Sequence, residues 1–371
     1  MHREITSKYT SRVIRFYKEM RAFRGNFNVF PKNTSSPLSF IISHTDIRNS
    51  FVALDQQESR VVTNQGISIQ EKPLSTDQSL ALFYTPLPDN DKNIVLLITH
   101  GMGHSPVHFH KLAMILSESG ITCVCHSLPG HHGSKSLTRK EFTRFGIEDY
   151  SLNNGQKLIE VANLYKNKAL FAFGHSMGGC TSLRGITQLQ EAVPDNLTGI
   201  ILLSATLNSE APLRLTPPVV RCFGTNIGKL VTHHPFGYSK KGAFSAFFNK
   251  SFYDDFTKED FDSFCESYQK ESFSTGLELL RSVTLFKLMP FIAFNFDVNT
   301  HALPVLNMVA GRDRLVHQKS GKEISNLLQK LGSQVTNTTI SNAPHDSMLT
   351  HTRETALYIL DWLKRLNPDY A

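Results

Sequence analysis

The sequence lacks any apolar run near the ~18 residues that a membrane-spanning helix needs. Its continuous apolar stretches, such as Ile94 to Ile98 and Ile200 to Leu203, are strand-sized. The first forty residues hold no continuous apolar segment of the secretory kind, so no signal peptide is expected, and the chain is expected to be cytoplasmic. Cysteine is scarce and odd in number. Cys123, Cys125, Cys180, Cys222 and Cys265 lie among apolar neighbours, which suits reduced, buried thiols better than a disulfide framework. Cys123 and Cys125 are too close together for zinc-ligand spacing. His108, His110, His131, His132, His233 and His234 have no carboxylate or cysteine at ligand spacing, so no metal and no cofactor is expected. Internal repeats and low-complexity tracts are absent.

What is present is a globular composition, 40% hydrophobic and 19% charged over 371 residues, enough chain to bury a sizeable core. The net charge of +7 is concentrated at one end: residues 1–32 hold eight Lys or Arg against two Glu, leaving residues 33–371 near +1. The main body therefore has no basic face of the kind that binds nucleic acid. From Glu4 to about Phe23, apolar residues recur every three or four positions, at Ile5, Tyr9, Val13, Phe16, Tyr17, Met20 and Phe23. They line one face of a helix whose other face is basic. Three readings stay open: a helix docked on the body, a helix lying on an anionic membrane surface, or a transit peptide. Residues 25–37 then read as a stop and linker.

From Ser39 the pattern turns to strands. Ser39–His44, Val61–Gln70 with turn residues at Asn64-Gln65-Gly66, and Leu80–Thr85 are β-prone. Asn93–Thr99 is a continuous apolar run suited to a strand buried on both faces of a parallel sheet. Helix and strand then alternate: helix His108–Glu118, strand Ile121–His126, loop Ser127–Ser136, helix Asp149–Tyr165, strand Ala169–Gly174, helix Gly178–Ala192 and strand Leu197–Leu203. Such alternation predicts a mostly parallel sheet flanked by helices, an α/β fold. It lapses over residues 208–302, which hold fourteen of the 26 phenylalanines and a helix-like stretch, Lys258–Ser272. We expect an inserted helical cap there, with a minority of its rings lining an apolar cleft. Strand Leu303–Ala310, helix Lys319–Leu331, strand Gln334–Ile340 and helix Thr352–Leu366 close the chain. The expected organisation is residues 1–37 as basic helix and linker, 38–207 and 303–371 as the two parts of the core, and 208–302 as the cap.

The chemistry centres on Gly174-His175-Ser176-Met177-Gly178, where an apolar strand stops at a serine two residues from a glycine on either side. The small residues let strand and helix approach closely around a strained turn that pushes the hydroxyl out of the sheet. The following helix directs free N–H groups and its positive end at the same spot. Ser176, Asp313 and His345 then stand at the ends of three predicted strands, where open α/β sheets place their ligands. A serine hydroxyl is a weak nucleophile until an imidazole takes its proton, and that imidazole needs a carboxylate to fix its tautomer. Asp313 has a competing reading as a turn cap, with Glu210 as the alternative acid; His345 has one as a structural loop histidine.

Four motifs in this order carry a resemblance: His100-Gly101 after a core strand, Gly174-His175-Ser176-Met177-Gly178-Gly179, Gly311-Arg312-Asp313, and Asn342-Ala343-Pro344-His345-Asp346. Together they resemble an α/β-hydrolase of the monoacylglycerol lipase and lysophospholipase group over roughly residues 60–367. The resemblance implies a serine hydrolase with Ser176, Asp313 and His345 as its triad and the backbone N–H groups of Met102 and Met177 as its oxyanion hole. It implies an ester of a lipid as substrate, through lysophospholipase, phospholipase A or monoacylglycerol lipase activity. The same group also holds thioesterases, peptidases and acyltransferases, and a non-catalytic binding protein is the remaining alternative. Relatives often carry an acidic residue before Pro-Gly-His-Gly, where this chain has His126-Ser127-Leu128-Pro129-Gly130-His131-His132-Gly133.

Overall fold

The computed structural model describes residues 60–64, 67–74, 79–131, 134, 137–206, 235, 237, 240–249, 256–264, 268–272, 274–275, 278 and 298–370. The basic N-terminal helix, the strand expected at Ser39–His44 and Glu210 lie outside them.

Nine strands, β1 (Arg60–Asn64), β2 (Ile67–Pro73), β3 (Leu80–Pro86), β4 (Ile94–Thr99), β5 (Ile121–His126), β6 (Ala169–His175), β7 (Leu197–Leu203), β8 (Val305–Ala310) and β9 (Val335–Ile340), form one sheet among the described residues, in the order β1-β2-β3-β5-β4-β6-β7-β8-β9. The expected stretch at 61–70 is a hairpin, β1 pairing antiparallel with β2. β2 and β3, and β3 and β5, are also antiparallel, whereas every pairing from β5 through β4 to β9 is parallel. The α-helices among the described residues are α1 (His110–Glu118), α2 (Arg139–Arg144), α3 (Ile147–Leu164), α4 (Met177–Leu189), α5 (Lys240–Phe247), α6 (Lys258–Phe264), α7 (Gln318–Lys330), α8 (Ser347–Thr350) and α9 (Thr352–Leu366). This is the α/β-hydrolase fold.

The continuous apolar strands are buried on both sides, as their composition requires. In β4, Ile94, Leu96 and Ile98 face one hydrophobic cluster while Val95 and Leu97 face the other, all five at most 3% exposed. Burying one such side chain contributes about 2 kcal/mol. Cys123, Cys125 and Cys180 are buried free thiols, and burial pushes the Cys123 pKa up to about 12. No helix among the described residues is long and apolar enough to cross a membrane.

β4 lies between β5 and β6, so the strand order reverses there and the sheet opens a crevice beyond the carboxyl ends of its strands. Register brings those ends level, Thr99 beside Gly174, His175 beside Leu203, Leu203 beside Met308, and Ala310 beside Ile340. The loops that follow β4, β6, β8 and β9 therefore meet at one edge.

Between β7 and β8 the described part of residues 208–302 holds the short helices α5 and α6. The helix-like stretch expected over Lys258–Ser272 ends at Phe264 among the described residues, and 268–272 runs without helix. Phe244, Phe248, Phe256 and Phe261 pack on one another, with Phe248 stacked on Phe256 at 4.9 Å. Phe248, Phe256 and Phe261 are buried and so serve the core, which is the commoner use of such rings.

Candidate active site

β6 ends at His175, and Ser176 takes φ 53° and ψ −121°, a conformation that non-glycine residues rarely adopt and that surrounding structure must hold in place. Two glycines make it attainable. A Cβ on Gly178 would lie 2.4 Å from the Thr99 carbonyl oxygen, and one on Gly174 would lie 2.4 Å from the Gly179 Cα. Helix α4 starts at Met177, so that residue's N–H is among those without an intrahelical partner. The Ser176 N–H is tied to the Leu203 carbonyl at 2.9 Å, and Ser176 is partly exposed between buried neighbours.

Asp313 and His345 come together as the sequence indicates. The His345 Nδ1–H donates to Asp313 Oδ2 at 2.7 Å, and both side chains are 1% exposed. The other Asp313 oxygen accepts the N–H groups of Leu315 and Val316 at 2.8 Å. Asp313 thus caps its own turn with one oxygen and holds the imidazole with the other, a geometry that accommodates both readings of this residue. Burial alone would lower the His345 pKa, but the charge and hydrogen bond of Asp313, together with the charge of Asp346, outweigh it and raise the value. The hydroxyl of Ser176 makes no hydrogen bond to His345 in this structure; catalytic contacts of this kind are commonly long before substrate binds.

The loop after β4 abuts the serine. A Cβ on Gly101 would lie 2.9 Å from the Ser176 Cβ. His100, 1% exposed, accepts the Leu128 N–H on Nε2 at 3.0 Å, which leaves Nδ1–H to donate to the Gly101 carbonyl at 2.8 Å. Burial first, then the nearby His131, holds the His100 pKa well below its usual range, consistent with a neutral ring of fixed tautomer. In a trans peptide the Met102 N–H points away from the Gly101 carbonyl that His100 grips. His175, also held neutral mainly by burial, donates Nε2–H to the His345 carbonyl at 3.2 Å and so ties the serine turn to the histidine loop.

Two buried carboxylates flank this loop, and neither carries a role in the sequence reading. Glu271 accepts the Gly103 N–H at 3.2 Å, His131 Nε2–H at 3.1 Å, the Tyr150 hydroxyl at 2.8 Å and its neighbour Ser272 N–H at 2.8 Å. Asp346 accepts His104 Nε2–H at 3.0 Å and the Tyr268 hydroxyl at 2.9 Å. Asp346 stands next to His345 in the sequence, which is the one signal that points to it; Glu271 has none. His104, His175 and Asp346 also place three metal-ligand atoms within 4.8 Å of one another, a grouping that differs from every histidine pair in the sequence reading. Here His104 and Asp346 are joined directly by a hydrogen bond, and His175 Nε2 is 3.9 Å from Asp346 Oδ1.

Comparison with known proteins shows the family. The chain belongs to the family described as serine aminopeptidase, S33 (Hydrolase_4), whose pattern matches residues 90–350. It is 28% identical over 141 residues to a monoglyceride lipase homolog of monkeypox virus, a match over 37% of this chain and 49% of that protein. The chain thus spans about half the length of the curated relative it matches. Among solved structures, it is similar to the 2-hydroxy-6-oxo-6-phenylhexa-2,4-dienoate hydrolase of Rhodococcus sp. strain RHA1, with a TM-score of 0.57, 16% identity and 80% and 99% of the two chains covered. A putative aryl esterase from Burkholderia cenocepacia matches with a TM-score of 0.55 at 12% identity, covering 80% and 98%. At these identities the structural matches carry the fold alone.

Proposed function

We propose that the chain is a serine hydrolase that cleaves carboxylic esters of lipids through an acyl-enzyme on Ser176. The observation that carries this reading is the 2.7 Å bond from His345 to Asp313 at the same sheet edge as the strained Ser176. His345 takes the hydroxyl proton as Ser176 attacks the ester carbonyl, then gives it to the leaving alcohol. Asp313 fixes the tautomer that leaves Nε2 free as base and stabilises the imidazolium that forms. The Met102 and Met177 N–H groups receive the developing oxyanion, each worth about 3 kcal/mol of barrier. Water, activated by His345, then releases the fatty acid and restores Ser176.

The lipid part of the reading is supported by the match to a monoglyceride lipase homolog and by the Phe247 ring stacked on His345. Lysophospholipase, phospholipase A and monoacylglycerol lipase activity are the candidate specificities. The mechanism is tested by incubating the protein with a fluorophosphonate and locating the adduct by peptide mass spectrometry. Stoichiometric labelling of Ser176 supports the reading; labelling elsewhere, or none, overturns it.

A further inference from the structure

The oxyanion loop is held from outside itself. Residue 104 touches both peptides that flank Met102: its backbone N–H donates to the Gly101 carbonyl at 3.1 Å, and its Nδ1–H donates to the Met102 carbonyl at 2.9 Å. Those two carbonyls fix the planes on either side of Met102 and with them the direction of its N–H. The ring that does this cannot be set by the loop alone. Its other nitrogen reaches across 242 positions to Asp346, so each ring nitrogen faces an oxygen.

Asp346 is 0% exposed and sits immediately after His345, its own N–H bonded to the Phe247 carbonyl at 3.3 Å. The third group on it comes from the segment between β7 and β8: the Tyr268 hydroxyl donates to the same oxygen, Oδ2, that His104 uses. The next residue extends the contact, since the Gln269 N–H donates to the Gly103 carbonyl at 2.7 Å. The rings close the gaps. Tyr268 stacks on Phe247 at 5.4 Å, and Phe247 stacks on His345 at 5.9 Å, while His104 makes edge contacts with both Phe247 and Tyr268. The oxyanion loop, the histidine loop and the 268–272 segment therefore converge on one carboxylate. Burial of that carboxylate is offset by His104, with His175 and His345 adding to it, so that Asp346 remains ionised.

We propose that His104 and Asp346, together with Tyr268, act as positioning residues that hold the peptides flanking Met102 in register with His345. Seating of the 268–272 segment then sets the aim of the oxyanion donor. None of the three touches the reacting atoms. A metal at this cluster is a poorer account, because the ring nitrogens of His104 already face the Met102 carbonyl and Asp346, and Asp346 Oδ2 is already shared with Tyr268. The inference rests on the reading of Ser176 and Met102 given above.

The test is steady-state hydrolysis of p-nitrophenyl butyrate at the alkaline plateau of the pH profile, where His345 is fully neutral. Wild type and Ser176→Ala are compared first, then Asp346→Asn, His104→Gln, Tyr268→Phe and the His104→Gln/Asp346→Asn double variant. If turnover by the wild type does not depend on Ser176, the reading of the site itself fails, and this inference with it. If turnover does depend on Ser176, the device predicts that Asp346→Asn and His104→Gln lower kcat by up to about 100-fold with KM within about twofold, since a small misplacement of a catalytic group has a cost of that size. The double variant should be no worse than the poorer single one, because the two residues act as a unit. Tyr268→Phe removes one hydroxyl and keeps the ring; it should lower kcat by a smaller factor, also without moving KM. Should Asp346→Asn fail to fold, His104→Gln and Tyr268→Phe decide the matter. Folded variants with kcat within about twofold of wild type, or multiplying losses in the double variant, overturn the proposal.

Discussion

His345 donates Nδ1–H to Asp313 across 32 positions of sequence, and Asp313 answers with an oxygen whose partner oxygen is locked by two backbone N–H groups. The carboxylate cannot rotate without giving up three hydrogen bonds, so the imidazole is held in one tautomer. Asp313→Asn keeps the shape but offers an amide, which favours the wrong tautomer. The expected outcome is a loss of about 10⁴-fold in kcat with the fold retained. Steady-state kinetics beside a circular dichroism spectrum checks this, and a loss under tenfold would show that Asp313 is only a turn cap.

In the proposed mechanism His345 must be neutral to act as base, and its pKa is raised. The acidic limb of kcat/KM is therefore expected at higher pH than for an ordinary histidine, with activity falling as pH drops through the raised value. Asp346 contributes to that rise, after Asp313, and the His175 ring lies 4.9 Å from the His345 ring. Asp346→Asn removes a negative charge, so the limb should move to lower pH. A pH series of kcat/KM for both proteins reads the shift directly; an unmoved or upward-moved limb contradicts it.

The same groups act on stability with opposite signs. His345 has a folded pKa above its unfolded value, so its contribution is present below the unfolded pKa and is lost as pH rises through the folded one. Asp346 is depressed, so its contribution is present above the unfolded carboxylate pKa and is lost as pH falls through the lower folded value. Asp346→Asn removes that contribution, so stability followed by tryptophan fluorescence should be lower at neutral pH and should fall less steeply through the acid range. An acid limb as steep as that of wild type, or neutral-pH stability equal to it, runs against the assignment.

Gly178 packs against the end of β4, where a Cβ would stand 2.4 Å from one carbonyl oxygen and 2.6 Å from the next. Gly178→Ala should cost about 3 kcal/mol through overpacking against backbone that cannot yield. Urea unfolding with an unchanged slope and a lower midpoint is the expected result. A midpoint equal to wild type would mean that the serine turn tolerates more than its geometry indicates.

Much of the fold is legible because buried parallel strands leave continuous apolar runs: β4, β5, β6 and β7 stand within a residue of where composition places them. The serine turn is legible for the same reason, since its glycines are demanded by backbone approach and cannot be supplied from elsewhere. Helix α2 is not, being six residues with Phe142 as its only buried one; the Thr138 and Glu141 capping box is the signal that would reveal it. Asp313 and His345 are legible as residues at strand ends. The partnership of Asp346 with His104, and that of Glu271 with Gly103, span 242 and 168 positions, and nothing local in the sequence selects them. The basic helix read from residues 4–23 lies outside the described residues, and its membrane role is a proposal. Equal sedimentation with anionic liposomes of the full chain and a chain lacking residues 1–32 would exclude it, while salt-sensitive binding by the full chain alone is expected.

The most direct measurement is product release from a panel containing a lysophospholipid, a diacyl phospholipid, a monoacylglycerol, an acyl-CoA and an aminoacyl anilide, by wild type and Ser176→Ala. Lipid-ester hydrolysis through Ser176 predicts free fatty acid from at least one of the three lipid esters, lost on the order of 10⁶-fold in the variant. Fatty acid release that survives Ser176→Ala, or turnover confined to the anilide or the thioester, would contradict it.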